Sequence, residues 1–110
     1  MQKIVVYLLL LLASTSTSYA QEAWTGNGIG MQGCGQYIEN RRTPNQRYDN
    51  EMAEWFYGFL TGRNYYSSSP QIKRSIEAST VLAYLDKYCR ENPLASVGAG
   101  ALELVKVYAK

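Results

Sequence analysis

Cys34 and Cys89 are the residues of this 110-residue chain with the plainest chemistry open to them. In an oxidising compartment, two cysteines in a small domain are most simply a disulfide. A reactive thiol pair would normally show Cys-x-x-Cys, which is absent, and an intermolecular bridge is the remaining rival. Histidine is missing altogether. That removes Ser-His-Asp and Cys-His nucleophiles and every zinc or haem site that needs His, and two cysteines alone cannot complete a four-Cys zinc site. No catalytic residue, metal or cofactor is therefore expected. Glu51 and Glu54 have the spacing of carboxylates on one helical face, but that face is polar, so they read as solvated.

Two further groups of side chains suit binding. Arg41, Arg42 and Arg47 form the one basic cluster, which fits either an acidic partner or a favourable charge at a helix end. Trp55, Phe56, Tyr57 and Phe59 fall within five residues and cover more than one side of a helix. Some of them, Tyr57 first, must then look outward or into a second protomer of a homodimer, unless the core is simply rich in aromatics. With Tyr65 and Tyr66 these aromatics and arginines make up the expected protein-binding surface.

The elements that must position these groups are helical. Residues 1–20 read as a cleaved secretory signal, with Lys3 at its start, an apolar run from Ile4 to Ala13, and the small-x-small site Ser18-Tyr19-Ala20. That run is too short to be a comfortable membrane anchor, and Glu103 and Lys106 interrupt the only later apolar stretch, so no stable insertion is expected after cleavage. Export to the periplasm or beyond then supplies the oxidising compartment. The 90 residues left carry ten basic and nine acidic side chains, too balanced for a general nucleic-acid binder.

Residues 21–33 are Gly-rich and show no period, so they read as an irregular arm with Trp24 tucked onto the domain. The match of Gly28, Gly30 and Gly33 to G-x-G-x-x-G has no preceding strand and no βαβ unit around it, which excludes a dinucleotide fingerprint. From residue 34 to 110 the pattern predicts an all-α bundle of about four helices closed by one disulfide. A short helix starts at Cys34, with Tyr37, Ile38 and Arg41 on the same face, and stops at Thr43-Pro44. The second runs from Tyr48 through Met52, Trp55, Phe56, Phe59 and Leu60 to a stop at Gly62, followed by a loop from Arg63 to Pro70. The third covers Ser75 to Glu91, capped by Ser75 or Ser79. Asn92-Pro93 should start a fourth helix that buries Leu94, Val97, Ala101, Leu104, Val105 and Tyr108. Gly98 and Gly100 within it signal either close approach to another helix or fraying.

A Cys at a helix start, the run Trp-Phe-Tyr-Gly-Phe-Leu at 55–60 and Tyr-Cys-Arg-Glu-Asn-Pro at 88–93 resemble the HdeA/HdeB-type periplasmic proteins. The resemblance spans about residues 32 to 105 and implies a small helical acid-stress chaperone with one disulfide, whose partners are unfolded clients. Cys-Gly-Gln-Tyr-Ile at 34–38 and Asn-Pro-Leu-Ala-Ser-Val-Gly-Ala at 92–99 also resemble Rap/Tai-type immunity proteins, which implies a partner of another kind, a cell-wall amidase toxin. Those immunity proteins usually carry additional cysteines, which this chain lacks. Without histidine, any acid response here would have to come from carboxylates.

Overall fold

The computed structural model describes residues 24–68 and 70–109. The expected signal peptide and the first residues of the arm lie outside them. Among the described residues there are no strands, and four α-helices follow a single 3-10 turn at Ile29–Met31: α1 (Cys34–Arg41), α2 (Gln46–Tyr66), α3 (Ala78–Glu91) and α4 (Val97–Tyr108). The all-α bundle and its Cys34–Cys89 disulfide are as the sequence predicts.

The third helix is the hub. It packs against α1, α2 and α4, because Val81, Leu82, Leu85 and Cys89 give it one continuous apolar side. That side meets Tyr37 from α1, Met52 and Phe56 from α2, and Val97, Ala101, Leu104 and Val105 from α4 in one core. The disulfide ties the first turn of α1 to the last turn of α3, with the two Cα atoms 4.9 Å apart. Beside it, Cys34 N donates to Ala95 O (2.8 Å) and Val97 N donates to Gln32 O (2.9 Å), an isolated antiparallel bridge between Gly33 and Ser96. One covalent bond and two backbone hydrogen bonds therefore join the start of α1, the end of α3 and the start of α4.

Several boundaries differ from expectation. Asn45 caps α2, its side chain accepting from Tyr48 N (3.1 Å), and the helix runs through Gly62 to Tyr66. A glycine ends a helix when it takes a left-handed conformation, and Gly28 is the one described residue with positive φ. In a helix interior Gly costs about 1 kcal/mol relative to Ala, too little to stop a helix held at both ends. The far end is held by Asn64, whose side chain accepts from Ile72 N (3.0 Å) and donates to Ile72 O (3.1 Å). This clamp folds the following segment back, so that Ile72 and Ile76, expected in no element's core, are buried.

The third helix begins at Ala78, not Ser75, and neither Ser75 nor Ser79 caps it: Thr80 N and Val81 N both turn onto Glu77 O. Asn92 closes α3 instead of opening α4, with its backbone N and its side-chain Nδ2 both donating to Tyr88 O. Ser96 is the cap of α4, accepting from Ala99 N at 3.2 Å. Leu94, expected inside, is consequently fully exposed on the intervening turn. Tyr108 is only half-buried, with the Arg74 guanidinium 5.9 Å above its ring. The glycines of α4 mark close approach: a Cβ on Gly100 would stand 2.7 Å from the Tyr88 ring, and one on Gly98 would stand 2.9 Å from Met31 Sδ.

Reduction of the disulfide, or the Cys34→Ala/Cys89→Ala double variant, is expected to lower the unfolding free energy by about 4 kcal/mol, the loop-closure value for this separation. Urea unfolding with and without reductant measures it. A loss below about 1 kcal/mol would show that the backbone bridge alone fixes the helix ends.

Candidate functional site

The arm of residues 24–33 is where the Gly-rich sequence acquires a job. Gly28, at φ +92°, turns the chain into the 3-10 turn, where Met31 N donates to Gly28 O (3.0 Å) and Gln32 N donates to Ile29 O (3.2 Å). That turn brings the Gly30 backbone so close to the Trp55 indole that a Cβ at Gly30 would clash with its ring atoms. The indole Nε1 in turn donates to Asn27 O at 2.7 Å, and Tyr48 OH donates to Gln32 Oε1 at 2.7 Å. Gly98 on α4 leaves room for Met31 and Trp24. The expected irregular arm is thus a docked wall. Its glycines serve packing against Trp55 rather than a phosphate.

Docking the arm beside α2 creates a cleft of about 650 Å3. The Trp24–Asn27 stretch forms its wall, and Trp55, Phe59 and Tyr66 of α2 form an aromatic floor. Phe59 stacks on Trp55 (5.5 Å between centroids, 18° between planes) and leans toward Trp24 (6.0 Å). Between these rings Gly58 and Gly62 open the floor, since a Cβ on either would have nothing within 4 Å. Glu54 and Arg63 stand at the rim.

The expected binding surface is therefore split. Trp55, Phe59 and Tyr66 do line one site, together with Trp24, Gly58 and Gly62, which sequence reasoning did not assign to it. The signal was present in the row Glu54, Gly58, Gly62, Tyr66, four residues apart on one helical line. Phe56 is fully buried in the core, so it presents nothing to a partner. Tyr57 does not look outward either: its ring is half-buried and its hydroxyl donates to Ile76 O at 2.8 Å. Tyr65 is 80 % exposed, and its ring meets that of Tyr66 edge-on at 4.8 Å.

Of the three arginines, Arg41 and Arg42 line one small pocket, and Arg47 is not part of it. Arg42 pairs with Glu39 (3.1 Å) and Arg47 with Glu51 (3.0 Å), both exposed pairs within one helix that contribute little to stability. Arg41 instead forms a clasp. Its Nε and Nη2 donate to the two oxygens of Asp86 on α3, and its Nη1 donates to Asp49 on α2, all at 2.9 Å. Tyr37 OH also donates to Asp86 (2.9 Å). Burial alone would raise the Asp86 pKa, but the hydrogen bonds from Arg41 and Tyr37 and the nearby positive charge outweigh it and hold the carboxyl below its usual range. Burial, then the Asp86 charge, pushes the Tyr37 hydroxyl far above its usual value. The clasp is about a quarter exposed, and Arg41 and Asp86 line a small surface pocket of about 180 Å3 with Ile38, Arg42 and Arg90. The clasp joins three helices.

Among the described residues, no group of three or more His, Cys, Asp or Glu could hold a metal ion, and no helix is long and apolar enough to cross a membrane. In comparisons with known proteins, the chain matches no family model, no curated protein and no solved structure.

Because Asp86 titrates lower folded than unfolded, its contribution is fully present above the unfolded carboxylate range. It is lost as pH falls through the depressed folded value. Asp86→Asn is expected to cost about 2 kcal/mol at neutral pH, the worth of charged hydrogen bonds in a partly buried site. It should also flatten the fall in stability below about pH 4. Chemical unfolding at several pH values reads both effects, and parallel wild-type and variant pH profiles would contradict this role.

Proposed function

We propose that this protein works outside the cytoplasm as a binder of other proteins rather than as a catalyst, and that the cleft between the arm and α2 is where it holds them. The observation that carries the proposal is the cleft itself, an apolar site with aromatic rings around a glycine floor. Its size lies within the usual range for ligand sites, about 300–1,000 Å3. The disulfide is compatible with an oxidising compartment, and the sequence of residues 1–20 supports export.

Since the cleft is assembled in the folded chain with its hydrogen bonds in place, it favours recognition of a defined partner at neutral pH, the behaviour expected of an immunity-type protein. The acid-chaperone reading draws support from a different observation. The clasp that joins α1, α2 and α3 depends on the Asp86 carboxylate, and its protonation would leave the Arg41 guanidinium without its two-oxygen partner on α3. Loosening of the bundle would then expose the core aromatics to unfolded clients.

Gly58→Leu separates binding from folding. Its Cβ meets no atom of the fold within 4 Å, the rest of its side chain extends into the cleft, and it replaces a poor helix former by a good one. Wild-type protein incubated with neutral envelope extract is expected to recover one stoichiometric partner, and Gly58→Leu to recover none while its melting temperature holds or rises. At pH 3 the acid-chaperone reading predicts increased hydrophobic-dye binding and suppression of client aggregation. A wild-type protein that recovers nothing at neutral pH and stays compact and inert at pH 3 would overturn both readings.

A further inference from the structure

Asn27-Gly28 is the one place in this chain where an asparagine precedes a glycine; the other asparagines are followed by Arg41, Gln46, Glu51, Tyr65 and Pro93. That pair has a chemistry of its own. The Gly28 nitrogen and the Asn27 Cγ can close a succinimide ring, and with no Cβ on Gly28 nothing crowds their approach. The fold leaves both groups uncommitted. Asn27 and Gly28 are exposed and lie outside any α-helix, and among the described residues neither the Asn27 side chain nor the Gly28 N–H makes a hydrogen bond. Asn45, Asn50, Asn64 and Asn92, by contrast, each commit their side chain to one.

The peptide group that would act as the nucleophile is also the one that Trp55 grips, since Trp55 Nε1 donates to Asn27 O at 2.7 Å. Loss of the Gly28 N–H proton places negative charge on that oxygen through amide resonance, so a donor already aimed at it stabilises the reactive anion.

We propose that Asn27 is a self-modification site, at which the folded chain converts its own amide to an aspartyl or isoaspartyl carboxylate with the help of the Trp55 indole. The Gly28 nitrogen bonds to Asn27 Cγ, the Cγ–Nδ2 bond breaks, and the amide nitrogen leaves as ammonia with the proton that Gly28 gave up. Water, the only co-reactant, then opens the succinimide. Cleavage of the new Cγ–N bond gives aspartate at this position. Cleavage between Gly28 N and the main-chain carbonyl carbon gives isoaspartate, whose backbone runs through Cβ and Cγ. Both products put a carboxylate on a stretch of the cleft wall that was neutral. Isoaspartate also adds one carbon to the backbone and turns the carbonyl that accepted from Trp55 into a free carboxylate. Beyond it the chain is held where the Gly30 backbone packs against the indole, so the added length falls on the Trp24–Asn27 wall. The effect on partners rests on the reading of the cleft as a protein-binding site, whereas the chemistry does not.

The test incubates the full folded chain at mildly alkaline pH in heavy-oxygen water and locates the modified residue by fragmentation mass spectrometry. Each conversion takes up one heavy oxygen atom. The reference is the same chain unfolded in urea with reductant. Folded wild type is expected to convert at position 27 about tenfold faster than the unfolded chain, the worth of one hydrogen bond to a developing charge. Trp55→Phe keeps a ring on α2 but removes the donor, so it should lose that excess when folded and match wild type when unfolded. A folded wild type that converts no faster than the unfolded chain, or a Trp55→Phe variant that keeps the full excess, would overturn the proposal. Converted and fresh protein are then compared in recovery of a partner from envelope extract. Converted protein is expected to recover less, while Asn27→Ser, which has no amide to lose, should recover the same amount before and after incubation. Equal recovery by converted and fresh wild type would overturn the effect on the cleft. Recovery of nothing by either, with the tenfold excess in place, would count against the binding reading and uphold the modification by itself.

Discussion

The Cys34–Cys89 bond fixes the point from which the other contacts of this small bundle are built. Its two sulfurs are fully buried, and it pins the first turn of an eight-residue helix to the last turn of the central one. A helix as short as α1 has little stability of its own. Held at its start by the disulfide and the Gly33–Ser96 bridge, it can place Tyr37 in the core and Arg41 between Asp49 and Asp86 at the opposite end. The covalent bond and the ionic clasp therefore act at the two ends of one helix, and together they set the spacing of α2 and α3.

That spacing reaches the cleft through single residues with two neighbours. Phe56 is buried under α2, so the adjoining Trp55 is turned toward the arm, where Gly30 and Asn27 fix its indole by close packing and a hydrogen bond. Tyr57, on the third side, reaches Ile76 O and holds down the segment before α3. Three consecutive aromatics thus point to the core, the arm and the return segment, which is how four aromatics in five residues are accommodated without a large exposed apolar surface.

Helix number, the inner sides of α2, α3 and α4, and the cysteine pairing were legible in the sequence because each depends on periodicity or on counting. The boundaries that were misread share one cause. Gly62, Asn92 and Ser75 carry the residue types of helix ends, but which glycine or cap residue is used depends on contacts made elsewhere, such as Asn64 gripping Ile72 or Ser96 lying beside the Gly33 bridge. The lining of the cleft was half legible for a similar reason. Aromatic content marked α2 as one side of the cleft, whereas the wall that completes it comes from a Gly-rich stretch with no period, whose order depends on absent side chains. The arginines show the same limit, since nothing in the run Arg41-Arg42 distinguishes the residue that joins three helices from the one that pairs within its own turn.

The hydrogen bond that seats Trp55 uses the backbone carbonyl of Asn27, and the side chains of Thr25 and Asn27 are exposed and absent from the core. The wall of the cleft can therefore change its chemical character while the floor, backed by Phe56 and the core, stays constant. The surface of the cleft and the stability of the fold are carried by separate stretches of this chain, so paralogues with altered wall residues would be free to change that surface without having to solve the folding problem again.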